Sequence, residues 1–392
     1  LIRSHRQWFN RNYSDEKHRR FLALLEERCG GPVLFRHSET PAFLPATLVA
    51  KMARYGREMV EQLLANPQYQ ADSRAAIPAE FRAPNEDPAP LFVQADFGLD
   101  ADLEPKLVEI QGFPTLYAYQ PLMAAAYREA YGIDAALAAL PDGLTLPEYE
   151  ALLRRAIVGE CDPENVVLME IDPWQQKTRH DFLLTERMLG VRTVDIAAVR
   201  KEGRALFYQR DGKTIAIRRI YNRAIVDELV RRGIRTAFDF RDELDVEWAG
   251  HPNWFFRLSK FSLPYLDHPA VPRTQFLDRV KRVENPERYV LKPLYSFAGT
   301  GVIVGPTADQ IAAVPEERRS GYILQERVDF QPVLETPFGA NKIEVRIMYV
   351  WLDRLRPVNT IIRMGRGAQM GVDHNKGMDW VGGSAAFIDD SE

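Results

Sequence analysis

Cysteine is scarce: 392 residues contain only Cys29 and Cys161, and neither has the spacing of a metal-ligand pair. That excludes a disulfide framework and a cysteine zinc site and fits a reducing compartment, so a cytoplasmic location is expected. A charge excess is missing too, because 51 Lys+Arg against 55 Asp+Glu leave a net charge of -4. No electrostatic footprint for nucleic acid or an anionic membrane follows from such a balance. No apolar run reaches the length of a membrane span, residues 1–6 lack the apolar core of a secretory signal, and neither repeats nor low-complexity tracts occur. The partners expected are small molecules.

What remains is 46% hydrophobic and 27% charged, the composition of a folded chain with room for two or three domains. Residues 1–88 are expected to form a mainly helical region: Ser14 opens an amphipathic segment that stops at Gly30-Gly31, and Leu48, Val49, Met52, Tyr55 and Met59 recur at helical spacing. After a Pro-rich stretch, residues 89–268 are expected to be α/β. Strands are predicted at 91–97, 106–111 and 166–171, helices at 116–131, 146–156 and 178–189, and a hairpin of 205–210 with 214–221 around Asp211-Gly212. In residues 269–392 strands dominate, at 289–293, 302–304, 322–326, 343–351 and 357–364, with one short helix near 308–313. The whole is read as α+β (α/β).

Arg288 to Val302 carries the main chemical signal, since it ends an apolar strand in Lys292 and follows with a small, glycine-bearing loop containing Ser296, Gly299, Thr300 and Gly301. Glycines let backbone N–H groups approach phosphate oxygens, and a lysine adds a compact positive charge, so a nucleotide is the expected ligand. No Gly-Lys-Ser/Thr follows, which excludes a P-loop. Lys260 lies 32 residues earlier, and two lysines on separate elements can bracket a polyphosphate. Gln325, Glu326 and Val328 end a strand whose amide and backbone atoms can read an adenine edge, while Glu326 or Asp329 can hold a ribose. Asp96 and Glu109 stand 13 residues apart on two predicted strands, with Gln111 just beyond, and such hard oxygen ligands suit Mg²⁺.

Lysine, lysine, glycine loop and Gln-Glu hinge, in this order, resemble the ATP-grasp superfamily. With the carboxylates upstream of the lysines, the chain resembles its circularly permuted members, of which glutathionylspermidine synthetase is the type. There a Glu-x-Asn segment leads into a Thr-Pro turn, as Glu109-Ile110-Gln111 leads here into Phe113-Pro114-Thr115. The resemblance covers islands from Phe92 to Val328. It implies a nucleotide cleft between two α+β units, ATP and Mg²⁺ as cofactors, and metal ligands Asp96, Glu109 and Gln111. It also implies an ADP-forming carboxylate–amine ligase working through an acyl phosphate. Gln111 replaces the usual Asn, Gln94 stands where the synthetase has an arginine, and no amidase pattern surrounds Cys29, so glutathione specificity is not implied.

Positive charge must also steady the transferring phosphoryl group. Arg346, on a strand with Glu344, and the hairpin-end arginines Arg219 and Arg223 are the candidates for catalysis and for clamping an anionic substrate. Asp373-His374-Asn375 offers an alternative metal pair with Glu344 as third ligand, or part of a Gly-rich lid. His251 reads as a packed or capping residue. A small-molecule phosphotransferase and a non-catalytic ATP-binding regulatory protein are the alternative functions.

Overall fold

The structure, a computed structural model, describes residues 1–295, 301–367 and 377–391. It is mixed α+β, with several sheets and no closed barrel among the described residues. Five helices precede or follow the first strands: α1 (Arg3–Asn12), α2 (Asp15–Cys29), α3 (Ala46–Ala65), α4 (Pro67–Ala75) and α5 (Tyr119–Tyr131). Ser14 caps α2 by accepting from the Lys17 N–H, and Gly30 ends it in the left-handed conformation, as the sequence signals require. The short strand β1 (Ala42–Pro45) leads into α3.

The principal sheet brings together distant parts of the chain. Its order is β18-β17-β16-β2-β3, where β2 is Phe92–Leu99, β3 Pro105–Gln111, β16 Gly339–Trp351, β17 Leu355–Gly365 and β18 Gly382–Ser384. Strands β2 and β16 pair antiparallel across the expected boundary at 268/269, and β1 pairs in parallel with β19 (Ala386–Asp389) across the one at 88/89. Because side chains alternate along a strand, one face carries Val93, Ala95, Phe97, Val345 and Ile347 into the main core. Helix α3 covers that face with Val49, Met52, Met59 and Val60, and the Tyr349 hydroxyl donates to the Met52 and Ala53 carbonyls at 3.2 and 3.1 Å. The opposite face carries the charges described below.

A second sheet is antiparallel, in the order β11-β14-β12-β13, from β11 (Thr274–Phe276), β12 (Tyr289–Pro293), β13 (Ile303–Val304) and β14 (Tyr322–Glu326). Helix α10 (Ala308–Ala312) lies within it in sequence, and β15 (Leu334–Thr336) pairs with the start of β16. A third sheet is wholly parallel, in the order β10-β9-β4-β5, from β4 (Val166–Glu170), β5 (Arg192–Asp195), β9 (Arg219–Asn222) and β10 (Glu247–Ala249). Helices α6 (Leu146–Ile157), α7 (Arg179–Leu189) and α8 (Val226–Arg232) accompany it, and α9 (Asn253–Arg257) follows. Thr145 and Glu148 form a capping box at the start of α6.

Strands β6 (Arg200–Glu202), β7 (Ala205–Arg210) and β8 (Lys213–Ile217) make a small antiparallel sheet. Its Asp211-Gly212 turn has φ of 50° and 76°, the two positive angles that match strand twist in a tight hairpin. The second hairpin strand does not run unbroken through 214–221. Arg218 donates its backbone N–H to the Asn165 carbonyl at 2.8 Å, and the chain there leaves β8 and enters the parallel sheet as β9.

Candidate functional site

The charged face of the principal sheet is a lattice set by register. Asp96 on β2 faces Arg346 on one neighbouring strand and Glu109 on the other, while Gln94 faces Gln111 and Glu344 faces Arg363. Arg346 forks onto Asp96, its Nε donating to Oδ1 at 2.5 Å and its Nη2 to Oδ2 at 2.6 Å. Its Nη1 donates to Gln94 Oε1 at 2.8 Å, and Gln94 Nε2 donates onward to the Thr115 carbonyl at 3.1 Å. With its amide oxygen turned to the same guanidinium, the orientation that satisfies both partners, Gln111 accepts from Arg346 Nη2 at 2.8 Å. Arg363 bridges Asp96 and Glu344.

Burial alone would raise the Asp96 pKa, but Arg346 and Arg363 outweigh it and hold the carboxyl below its ordinary value. Burial dominates for Glu344, whose pKa is raised despite Arg363. Burial would also lower the Arg363 pKa, yet Glu344 and Asp96 more than reverse that, so Arg363 stays charged.

The two lysines arrive from the other side. The pairing of β2 with β3 slips between Asp96 and Phe97: Asp96 faces Glu109 but Phe97 faces Leu107, so Val108 is left as the extra residue of a bulge. The Val108 carbonyl accepts from Lys292 Nζ at 3.0 Å, and Lys292 also donates to Gln325 Oε1 at 2.6 Å. Burial lowers the Lys292 pKa to about 8, with Lys260 adding to the fall and Glu109 opposing it. Lys260, in the turn after α9, places Nζ 3.5 Å from Glu109 Oε2. Gly112, just past Gln111, donates its N–H to the Leu258 carbonyl at 2.8 Å, and a Cβ there would stand 2.8 Å from the Trp254 carbonyl. That close approach ties the end of β3 to the lysine turn and demands glycine.

Seven of the residues singled out in the sequence therefore meet in one place: Asp96, Glu109, Gln111, Lys260, Lys292, Gln325 and Arg346. Gly301 sits in the left-handed region with φ of 73°, against the Pro293 ring. Ser296, Gly299 and Thr300 lie outside the described residues, as do Asp373, His374 and Asn375. Glu326 and Val328 lie at and just beyond the end of β14, with Glu326 exposed, and Asp329 pairs with Arg327 at 2.8 Å.

Arg219 is elsewhere. Its Nε and Nη2 each donate at 3.0 Å, to the Ile157 and Ala156 carbonyls at the end of α6, and it pairs with Glu247, so it serves as a helix C-cap. His251 accepts from the Asn253 N–H at 3.3 Å and lies 2.9 Å from the Pro84 carbonyl, a capping contact as its sequence context suggested. Arg223 belongs to the parallel sheet and is taken up below. Sequence reasoning missed Arg363, although a lone charge in the apolar run Thr360-Ile361-Ile362-Arg363-Met364 was the available signal. Glu344, read only as an alternative ligand, proves to be Arg363's partner.

As arranged, the three expected metal ligands do not fit a magnesium ion. Asp96 is engaged by two arginines, Gln111 by Arg346, and Glu109 faces Lys260. Among the described residues no group of three His, Cys, Asp or Glu side chains is gathered to hold a metal. Counted as charges, Asp96, Glu109 and Glu344 face Lys260, Lys292, Arg346 and Arg363, one cation in excess, which suits an anion. No protein-family model and no curated protein matches this sequence. Among the described residues no helix is long and apolar enough to cross a membrane.

Proposed function

We propose that this cluster binds the triphosphate of ATP and that the chain is a carboxylate–amine ligase of the circularly permuted ATP-grasp kind. One observation carries the reading. Residues some 150 to 250 positions apart in sequence, acids and amides on β2 and β3 and lysines from the turn after α9 and from β12, converge where the charged face of the principal sheet meets its edge strand β3. Lys260 and Lys292 hold phosphate oxygens, and Arg346, fixed by Asp96, faces the charge that builds on the transferred group. A substrate carboxylate oxygen attacks the γ-phosphorus as the bond to the ADP oxygen breaks, giving an acyl phosphate. An amine nitrogen then attacks the acyl carbon, phosphate leaves with the bonding pair, and the amine proton passes to solvent or a base. No step is routed through a metal, because every expected ligand already faces a protein cation.

That same engagement favours a second reading, a protein that takes up nucleotide without turning it over. ADP release against pooled acids and amines separates the two. The ligase releases ADP over many turnovers only when both an acid and an amine are present, and Lys292→Ala and Asp96→Asn each lower the rate by about a hundredfold or more. ATP uptake with no ADP release from any pool establishes the binder instead, and full activity in both variants would remove the site assignment altogether.

A further inference from the structure

The parallel sheet carries a constellation that the nucleotide cluster does not use. From β4 the chain passes to β5 on one side and later returns to place β9 on the other side of β4. Strand order thus reverses between β4 and β9, and in open α/β sheets the crevice beyond the carboxyl ends at such a point is the usual seat of a ligand. Glu170 is the last residue of β4, and Arg223 directly follows β9, donating its backbone N–H to the Met169 carbonyl at 2.8 Å. The two side chains therefore leave neighbouring strands at the same level.

Arg223 is only 4% exposed, and its guanidinium carbon lies 4.8 Å from the Phe113 ring centroid and 5.6 Å from that of Phe182. Both rings are within cation–π reach of the guanidinium, a contact that satisfies none of its N–H donors. Its Nε and Nη1 are buried without a hydrogen bond. Tyr221, two residues back on the same face of β9, likewise buries its hydroxyl without a partner. Two buried acids, Asp181 and Glu170, lie close enough for Arg223 to oppose the rise that burial gives their pKa values, yet neither reaches its Nε or Nη1. Asp181 accepts the backbone N–H groups of Leu116, Ala118 and Tyr119 at 3.0, 2.9 and 2.9 Å, and Glu170 accepts that of Ile171 at 2.8 Å. A buried guanidinium is costly while its donors go unmet, and since Asp181 and Glu170 supply charge but no hydrogen bond to Nε or Nη1, those two donors call for an acceptor from outside. Phe113 stands two residues beyond Gln111, at most about 7 Å along the chain, which sets this end of the parallel sheet near the charged cluster.

We propose that the crevice between β4 and β9 takes one carboxylate of a small organic acid bearing at least two, with Arg223 as its anchor and the Tyr221 hydroxyl as a second donor. That the other carboxylate is the reacting one rests on the ligase reading; the anchor itself rests on the unpaired donors. The test is calorimetric titration of the full chain with succinate, glutarate and adipate as probes, butyrate as the single-carboxylate control, and a non-hydrolysable ATP analogue in a separate arm. At least one dicarboxylate binds about tenfold or more tightly than butyrate, Arg223→Met weakens it by about tenfold or more, and Tyr221→Phe by about threefold. Should Arg223→Met fail to fold, Arg223→Lys keeps the charge without the fork and still weakens binding by about threefold. No binding by any dicarboxylate, or wild-type affinity in the Arg223 variants, overturns the proposal. Loss of nucleotide binding with dicarboxylate binding intact sinks the ATP reading alone, and the converse sinks only this one.

Discussion

Two buried cationic centres in this molecule are built on opposite terms. On the principal sheet Arg346 and Arg363 are tied to Asp96, Glu344, Gln94 and Gln111, and strand register supplies each guanidinium with acceptors, though Arg363 Nε is left without one. At the carboxyl end of the central strands of the parallel sheet Arg223 has aromatic rings beside it and no hydrogen-bond partner at Nε or Nη1. The first arrangement holds geometry; the second holds an open demand. Paired buried charge is costly to break, whereas removing an unpaired buried charge removes a penalty along with the side chain.

The largest predicted effect breaks the first centre. Asp96→Ala strands two arginines beside Glu344 and should cost about 3–5 kcal/mol in urea unfolding, while Arg223→Met should stay within about 1 kcal/mol of the parent. Equal losses in the two variants would erase the distinction between the centres. Next comes Lys292→Met, which removes a cation whose pKa burial has already lowered to about 8. Affinity for an ATP analogue should fall about ten- to hundredfold by calorimetry, the worth of one charge-assisted contact, with little change in unfolding midpoint.

A smaller effect concerns pH. Burial raises the Glu170 pKa to about 7, with Arg223 partly opposing it. A carboxyl with a raised pKa binds its proton more tightly in the folded state. Its contribution is therefore present below the unfolded value near 4.5 and is lost as pH climbs toward 7. Unfolding free energy should drop by on the order of 2–3 kcal/mol between about pH 5 and 8 from this group, and Glu170→Gln should flatten that drop. Identical pH slopes in the two proteins would rule the burial effect out. The smallest change is Gly212→Ala in the β7–β8 turn, where φ is 76° and an added Cβ meets nothing within 4 Å. Backbone strain alone remains, so the loss should be about 1 kcal/mol; no loss would mean the turn adopts another form.

Much of this was readable from residue order. The caps of α2, the strands holding Asp96 and Glu109, the Asp211-Gly212 turn and the lysine strand follow from local patterns, because each is fixed by its own few residues. The partners of Asp96 were not, since Arg346 and Arg363 lie 250 and 267 positions away and only strand register selects them. The continuous strand expected through 214–221 failed at Arg218 for a similar reason: a backbone bond to Asn165, distant in sequence, redirects the chain. Nor does any single segment announce the juxtaposition of Glu170 and Arg223, which arises only once β9 has chosen the far side of β4. Arg219 and Arg223 look equivalent in the sequence and differ only in what surrounds them.

The pairing of β2 with β16 also bears on how the chain is made. On a ribosome adding about 5–20 residues per second, the apolar side of β2 emerges well before the strand that completes its sheet. With 250 positions separating Asp96 from Arg346, the interval is roughly 10–50 s. During that time the edge of β2 that will meet β16 stays open, although α3 and β3 are already made, and an unfinished strand edge is the part of a nascent chain most prone to aggregate or to recruit a chaperone.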